Sequence, residues 1–93
     1  MPTLADRLEG FEWLDWVVEK INRKHNVELE EVEQCFYKTT YKLRRVEDNK
    51  YQFLSRTDSG RYLAIIFAWN YRYVRVITAR DMTKKERDFY SRK

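Results

Sequence analysis

The strongest constraint on the fold is a pair of apolar segments in the last third of the chain, joined by a short polar turn. Residues 62–69 are almost continuously apolar, which is typical of a central strand covered on both faces. Residues 73–79 alternate between apolar and polar side chains, which predicts a second strand with Val74, Val76 and Thr78 on one side. The sequence therefore predicts an antiparallel hairpin inside a larger sheet.

Three helices are predicted around this hairpin. Apolar residues spaced i, i+3, i+4 and i+7 predict a helix over residues 14–24. A second helix is predicted over residues 29–37, and the glutamates at its start suit the positive end of the helix dipole. After the hairpin, Thr83 and Glu86 have the spacing of a capping box, which begins a basic helix that extends to about Arg92.

Two further strands complete the predicted architecture. They cover residues 41–46 and 50–56, and a Thr-Asp-Ser-Gly turn at 57–60 follows the second. The chain is predicted to be one α+β domain over residues 1–93, with two N-terminal helices, an antiparallel sheet of three or four strands and a short C-terminal helix. A chain of 93 residues leaves room for one domain only. Residues 1–10 are predicted to form a short helical turn or a flexible, frayed end.

Composition excludes several kinds of site and location. The single cysteine, Cys35, cannot form an internal disulfide, and its place on an apolar helix face predicts a buried, inert thiol in a reducing cytoplasm. His25 is the only histidine, and we find no metal-ligand spacing and no phosphate-binding glycine loop, so neither a metal nor a cofactor is expected. The chain lacks a signal-peptide pattern and an apolar run of the roughly 18 residues that span a membrane. The expected location is therefore cytoplasmic.

Charge is unevenly distributed along the chain. Residues 1–36 hold nine Asp and Glu against four Lys and Arg, a net charge of −5, whereas residues 37–93 hold six against fifteen, a net charge of +9. Four arginines lie near the ends of predicted strands: Arg56, Arg61, Arg75 and Arg80. Such a surface would attract a polyanion, and nucleic acid is the first ligand to consider. The alternative is a generic surface whose basic positions fall late in the chain.

RNA cleavage is the sharpest functional hypothesis that these residues support. Without a metal it requires a base for the 2′-hydroxyl, cations for the phosphate oxygens and a proton donor for the leaving 5′-oxygen. Arg56 and Arg80 are candidates for phosphate binding, His25 for the base, and Tyr90 for orienting the phosphate, stacking on a base or carrying a proton. The remaining candidates would bind RNA: Lys24, Arg61, Arg75, Lys84, Lys85 and Arg87.

Each catalytic candidate also has a purely structural alternative. His25 can cap the C-terminal end of the first helix. Arg80 can form an ion pair with Asp81 or Glu86, Arg56 and Arg61 can be solvated charges beside a hairpin, and Tyr90 can anchor the last helix in the core. The sequence leaves these alternatives open.

The order of motifs resembles the BrnT-type toxin family of bacterial type II toxin–antitoxin systems. The residues that carry the resemblance are Phe11-Glu12-Trp13, Lys24-His25-Asn26-Val27, Glu30-Glu31-Val32, Phe36, the segment 56–63, Arg75-Val76-Ile77-Thr78-Ala79-Arg80-Asp81-Met82-Thr83, Glu86-Arg87 and Tyr90. The resemblance implies a fold like that of RelE-like ribonucleases, cleavage of RNA, and neutralisation by a ribbon-helix-helix antitoxin, BrnA. In the scheme that it implies, basic residues of the sheet and the C-terminal Tyr90 act on the phosphate.

The chain also departs from the family pattern. Leu14, Val17 and Ile21 are apolar where many members carry polar residues on the first helix, and Asn26 stands where glycine is usual. The leading hypothesis is a toxin that acts as a metal-independent endoribonuclease. One alternative is a module that binds RNA or an antitoxin without cleaving, and another is a structural subunit that docks an acidic protein.

Overall fold

The computed structural model describes residues 3–92 and has the α+β architecture that the sequence predicts. Met1 and Pro2, which belong to the N-terminal stretch predicted to be helical or frayed, lie outside the described residues, as does Lys93. The elements in chain order are a 3-10 turn at Leu4–Arg7, β1 (Gly10–Glu12), α1 (Asp15–His25), α2 (Leu29–Cys35), β2 (Lys42–Glu47), β3 (Lys50–Arg56), β4 (Tyr62–Asn70), β5 (Tyr73–Asp81) and α3 (Lys84–Ser91). None of the helices in this part of the chain is long and apolar enough to cross a membrane.

The sheet has five strands in the order β1-β5-β4-β3-β2, so the prediction of three or four strands is wrong. The additional strand is β1, which pairs parallel to β5 through Phe11 and Val74, while the other neighbours are antiparallel. Three residues are too few to show an alternating pattern, so β1 has no signal in the sequence. The residues before it form a 3-10 turn, one of the two alternatives predicted for residues 1–10, and its Leu4 is fully buried.

Capping residues explain where the first two helices begin and end. Asn26 closes α1 in the left-handed conformation at φ 54°, which asparagine tolerates better than most residues. Glu28 and Glu31 form a reciprocal cap at the start of α2. This helix ends at Cys35, shorter than predicted, because the chain must turn there to deliver Phe36 into the core.

One face of the sheet, here called the inner face, packs against α1 and α2. Its core contains aromatic rings that touch one another: Phe36 stacks on Phe53 at 4.5 Å between ring centroids and meets Phe67 edge-on at 5.4 Å. Val17 and Ile21 of α1 are fully buried in the same core. Rings of this size supply most of the apolar area that a short chain needs for stability.

Among the elements of residues 3–92, α3 is the one that covers the other face of the sheet, here called the outer face. A small apolar cluster of Leu54, Ala64 and Met82 lies there, with Tyr62 and Tyr90 packed against it. No residue of α3 is buried, so the helix is held at the surface largely by polar and aromatic contacts.

A β-bulge in β5 decides which residues reach the outer face. Ile66 pairs with Thr78 and Phe67 with Val76, so Ile77 has no partner in the ladder. The bulge moves Thr78 to the outer face, whereas simple alternation had predicted that it shares a face with Val76. Arg80, which alternation would have directed toward the inner core, consequently lies on the outer face beside α3.

Candidate functional site

Arg61, at the start of the segment entering β4, is held entirely by acceptors of the protein. Its guanidinium donates to both carboxylate oxygens of Asp81 at 2.7 and 3.2 Å and to Glu31 at 3.2 Å. It also donates to the backbone carbonyls of Asn26 at 2.7 Å and His25 at 2.9 Å. The hydrogen bond to Asp81 is the main reason why the pKa of Arg61 is raised. This geometry ties the α1–α2 connection to the sheet and gives no support to the prediction that Arg61 binds RNA.

Arg56, at the other end of the same turn, is exposed and has a very different environment. Its guanidinium carbon lies 4.8 Å from the ring centroid of Tyr62, and no carboxylate of residues 3–92 is within ion-pair distance. Gly60 adopts φ 91°, and a Cβ there would lie 2.9 Å from Nη2 of Arg56. The glycine therefore both permits the turn and leaves space for this guanidinium.

Arg56 and Tyr90 line the same concavity, which has a volume of about 290 Å³ and is here called the Arg56–Tyr90 concavity. Its other lining residues are Lys38, Thr39, Thr40, Thr57, Asp58 and Gly60. Among them, Lys38 forms an ion pair with Asp58. The structure thus brings together two of the four residues predicted to be catalytic.

Tyr90 is placed by packing rather than by strong hydrogen bonds. Its hydroxyl donates to the carbonyl oxygen of Thr40 at 3.4 Å, and its ring meets Tyr62 edge-on at 5.9 Å. Partial burial raises the pKa of Tyr90, and the positive charge of Arg56 opposes that shift only in part. The hydroxyl therefore stays protonated near neutral pH and is suited to donating a proton or a hydrogen bond.

Arg80 forms the ion pair with Glu86 that the sequence had left as an alternative. Its two terminal nitrogens donate to the two carboxylate oxygens at 2.7 and 2.9 Å. The same carboxylate accepts from Gln52 at 2.8 Å and from the backbone N–H of Thr83 at 2.9 Å. These contacts, above all the hydrogen bond from Arg80, lower the pKa of Glu86 to about 2. Arg80 does not line the Arg56–Tyr90 concavity.

The remaining predicted residues lie outside this concavity. His25 is half-buried at the end of α1, and Lys24 is exposed beside it. Arg75 is paired with Glu12 across the β1–β5 ladder. The catalytic role assigned to His25, and the RNA-binding roles of the two basic residues, stay predictions.

The basic residues of α3 point to different sides of that helix. The Lys84 ammonium lies 3.9 Å from the carboxylate of Asp88, and the Arg87 guanidinium carbon lies 4.3 Å from the ring centroid of Tyr62. Lys85 instead lines a second concavity, of about 400 Å³, between β2 and α3. We call it the β2–α3 groove; its lining residues are Arg44, Gln52, Leu54, Lys85, Glu86, Asp88, Phe89 and Arg92.

Sequence reasoning missed the contribution of β2 to this groove. Arg44 lies on the outer face opposite Gln52, and its Nε donates to the Gln52 side-chain oxygen at 3.1 Å. Lys42 and Arg44 both approach the ring of Phe89, at 5.6 and 5.8 Å from its centroid. The sequence did contain a signal, because Lys42 and Arg44 alternate with the core residue Leu43 and must therefore lie on the opposite face of the strand. It gave no indication that α3 covers that face.

Possible metal ligands are not gathered anywhere in the described residues. No group of three or more His, Cys, Asp and Glu side chains within residues 3–92 is arranged to hold a metal ion.

An α+β domain with an exposed arginine in a concavity beside its C-terminal helix belongs to the class of small proteins whose surface is suited to an anionic ligand. Residues 16–86 match the family model described as the ribonuclease toxin, BrnT, of type II toxin-antitoxin systems. Because the match covers well over half of the chain, the chain belongs to this family, and the resemblance noted in the sequence is confirmed. Membership implies a role as a toxin with a protein antitoxin as partner. Arg56 lies inside the matched range, and Tyr90 lies outside it.

The fold is also similar to a solved structure of the family. The crystal structure of the Brucella abortus ribonuclease toxin, BrnT, superposes with a TM-score of 0.68 at 14% sequence identity. The similarity covers 81% of this chain and 97% of that chain. At this level of identity it establishes a shared fold. A search of curated proteins found no match to the chain.

Proposed function

We propose that this family member is an active endoribonuclease that cleaves RNA without a metal, at the Arg56–Tyr90 concavity. The observation that carries the proposal is the pairing of an exposed guanidinium, free of carboxylate partners among residues 3–92, with a protonated phenol in one concavity. A guanidinium binds phosphate oxygens with a permanent charge and two parallel donors.

The chemistry assigns a separate task to each side chain. The 2′-oxygen of a ribose attacks the adjacent phosphorus, and the bond from phosphorus to the 5′-oxygen breaks. Arg56 stabilises the charge that develops on the phosphate oxygens, and Tyr90 donates its proton to the departing 5′-oxygen. The products are a 2′,3′-cyclic phosphate and a 5′-hydroxyl.

The base that accepts the 2′-hydroxyl proton has two candidates. Asp58 lines the concavity but is paired with Lys38. His25 has the more suitable side chain but does not line the concavity. A substrate strand that passes over the end of the hairpin would have to approach one of these two residues. The residue whose substitution lowers the cleavage rate is the base.

Arg80 acts in this proposal through α3 rather than on the phosphate. Its ion pair with Glu86 holds the helix that carries Tyr90. Loss of this pair would displace the phenol without removing a catalytic group, so Arg80 is proposed as a positioning residue.

The partner is proposed to be a ribbon-helix-helix antitoxin like BrnA, and the relation to RelE-like ribonucleases belongs to the same proposal. Acidic or apolar segments of such a partner would cover the basic concavity and exclude RNA. A cytoplasmic location fits an RNA substrate and the single, buried Cys35 thiol.

The central test is RNA digestion by the purified protein. We expect Arg56→Ala and Tyr90→Phe each to lower the cleavage rate by about 10²-fold or more, as loss of a transition-state contact does. Arg45→Ala, which removes an exposed arginine from the opposite face of β2, should leave the rate unchanged. Tyr90→Phe is the sharper variant because it retains the ring that packs on Tyr62.

The same digestion tests metal independence, and a growth assay tests toxicity. A chelator should leave the wild-type rate unchanged, and induced expression of the wild-type chain should arrest bacterial growth whereas Arg56→Ala should not. Intact RNA after incubation with folded wild-type protein would overturn the proposal of activity. Loss of cleavage on chelation would overturn the metal-free mechanism alone.

A second candidate function is binding of RNA or of the antitoxin without cleavage. This candidate arises because α1 has apolar residues where many family members have polar ones. Two of these residues, Val17 and Ile21, are buried in the inner core, where they contribute to packing. Leu14 remains exposed at the start of that helix. Salt-sensitive RNA binding with no cleavage product would favour this candidate.

A further inference from the structure

We infer that the β2–α3 groove is a binding subsite for one or more nucleotides of single-stranded RNA next to the cleavage site. This inference rests on the proposed function, because it extends the path of the same substrate. It introduces residues with no predicted role: Lys42, Arg44, Phe89 and Arg92.

The first support is the distribution of charge around the groove. Lys42, Arg44, Lys85 and Arg92 make no ion pair with a carboxylate in residues 3–92. The lining carboxylate of Glu86 is neutralised by Arg80, and that of Asp88 lies 3.9 Å from Lys84. Because the cations that pair with these two carboxylates lie outside the lining, the groove carries an excess of positive charge, which suits a polyanion.

The second support is an exposed aromatic ring at the same place. Phe89, an apolar residue of α3, is 37% exposed. The cationic ends of Lys42 and Arg44 lie 5.6 and 5.8 Å from its centroid. Proteins that bind single strands commonly combine such rings, on which bases stack, with cations that follow the phosphates.

The third support is continuity with the proposed cleavage site. Phe89 directly precedes Tyr90 on α3, and the Tyr90 hydroxyl contacts Thr40, just before β2. From there Lys42 and Arg44 follow on one face of β2, spaced by two residues or about 6.6 Å. A strand whose phosphate is held at Arg56 can therefore continue along β2 into the groove.

The hydrogen bonds inside the groove also indicate that it does not discriminate among bases. Gln52, the buried amide at its floor, donates to Glu86 and accepts from Arg44. Glu86 in turn accepts from Arg80. Because these polar groups are engaged within the protein, base edges find few free partners, and binding through stacking and charge should tolerate any base sequence.

The test is binding of a single-stranded RNA with 2′-O-methyl groups, which cannot be cleaved by 2′-hydroxyl attack, measured by fluorescence anisotropy over a series of salt concentrations. We expect Arg44→Ala to weaken binding about tenfold and to lower the salt slope by about one unit. Phe89→Ala should weaken binding by about tenfold with an unchanged salt slope. Thermal melting of each variant verifies that it is folded.

The matched control is Arg45→Ala, which removes the same charge from the neighbouring residue on the opposite face of β2. It should change affinity less than twofold. Equal effects of the Arg44 and Arg45 substitutions, or none from either, would overturn the inference. So would tight binding of an acidic peptide by wild-type protein that binds no RNA, since the groove would then be a protein-docking surface.

The outcome is separable from that of the proposed function. If the groove substitutions weaken binding of the methylated RNA but ordinary RNA is not cleaved, the subsite inference stands and the proposed enzyme activity is refuted. If the wild-type protein cleaves RNA, and Arg44→Ala and Phe89→Ala cleave both a dinucleotide and an oligonucleotide at the wild-type rate, the enzyme proposal stands and the subsite inference is refuted. If both are correct, these variants slow cleavage of the oligonucleotide far more than that of the dinucleotide.

Discussion

The two faces of the sheet are built from different kinds of contact. The inner face belongs to a core of fourteen buried residues in the described chain, whose aromatic rings contact one another directly. The outer face has a cluster of three, and the helix that covers it buries none of its own residues. Stability therefore resides mainly on the inner face, while the outer face is free to present charge and exposed rings to a ligand.

The same contrast recurs at the single turn between β3 and β4. Arg61 uses its guanidinium to hold the α1–α2 connection on the inner side, whereas Arg56 lies open beside Tyr62. Two arginines five residues apart thus have opposite roles, one within the fold and one toward solvent. Substitutions that compare the two faces can sharpen or break this distinction.

The largest expected difference in stability comes from the aromatic cores. Phe36→Ala should reduce the free energy of unfolding by roughly 3–5 kcal/mol, because it removes a fully buried ring that contacts Phe11, Phe53 and Phe67. Phe89→Ala on the outer face should cost less than about 1 kcal/mol. Urea denaturation measures both, and similar losses would contradict the division between faces.

The next effect separates the two arginines. Arg61→Ala should lower the free energy of unfolding by about 2–3 kcal/mol, since it leaves Asp81, Glu31 and two carbonyl groups without their partner. Arg56→Ala should change stability by less than about 0.5 kcal/mol while abolishing most cleavage. Chemical denaturation and RNA digestion of the same preparations give both quantities. A stable Arg61→Ala protein would remove the structural role assigned to that residue.

A smaller effect concerns the ionic anchor of α3 and its pH dependence. The pKa of Glu86 is lowered from its ordinary 4.5 to about 2, so its contribution is present above pH 4.5 and is lost as pH falls toward 2. We expect this contribution to be about 1–2 kcal/mol after allowance for partial exposure. Glu86→Gln, which retains a capping-box residue at that position, should lose it at neutral pH and flatten the stability profile between pH 4.5 and 2. An unchanged profile would contradict the assignment.

The smallest expected effect is on the reactivity of the Cys35 thiol, which lies on the inner side. Complete burial raises the pKa of this thiol to about 12, so an alkylating reagent at neutral pH should react only when the protein unfolds. Modification should be slow in buffer and fast in denaturant, and its rate should increase in Phe36→Ala but not in Phe89→Ala. Rapid labelling of the native wild-type protein would show that the inner face opens more readily than the packing indicates.

Local pattern was sufficient for most of the fold. The helical repeat of α1, the capping box of α3 and the bounds of β3 all follow from neighbouring residues, and the structure confirms them. The strand β1 could not be found, because its three residues acquire their conformation only by pairing with β5. Two residues of the candidate site, Arg56 and Tyr90, were proposed from the sequence because of their side-chain chemistry. The basic residues of β2 beside them were not proposed.

The sequence by itself determined the order and period of the elements, because hydrophobic periodicity acts over a few residues at a time. Only the tertiary structure decided which cations are available to a ligand. The bulge at Ile77 moved Arg80 beside Glu86, and the approach of α1 to β5 enclosed Arg61 among carbonyls and carboxylates. Ion pairing depends on residues that are distant in the chain and adjacent in space, so the sequence alone cannot reveal that Arg56 has no carboxylate partner among residues 3–92. The other three arginines near the strand ends do have one: Arg61, Arg75 and Arg80.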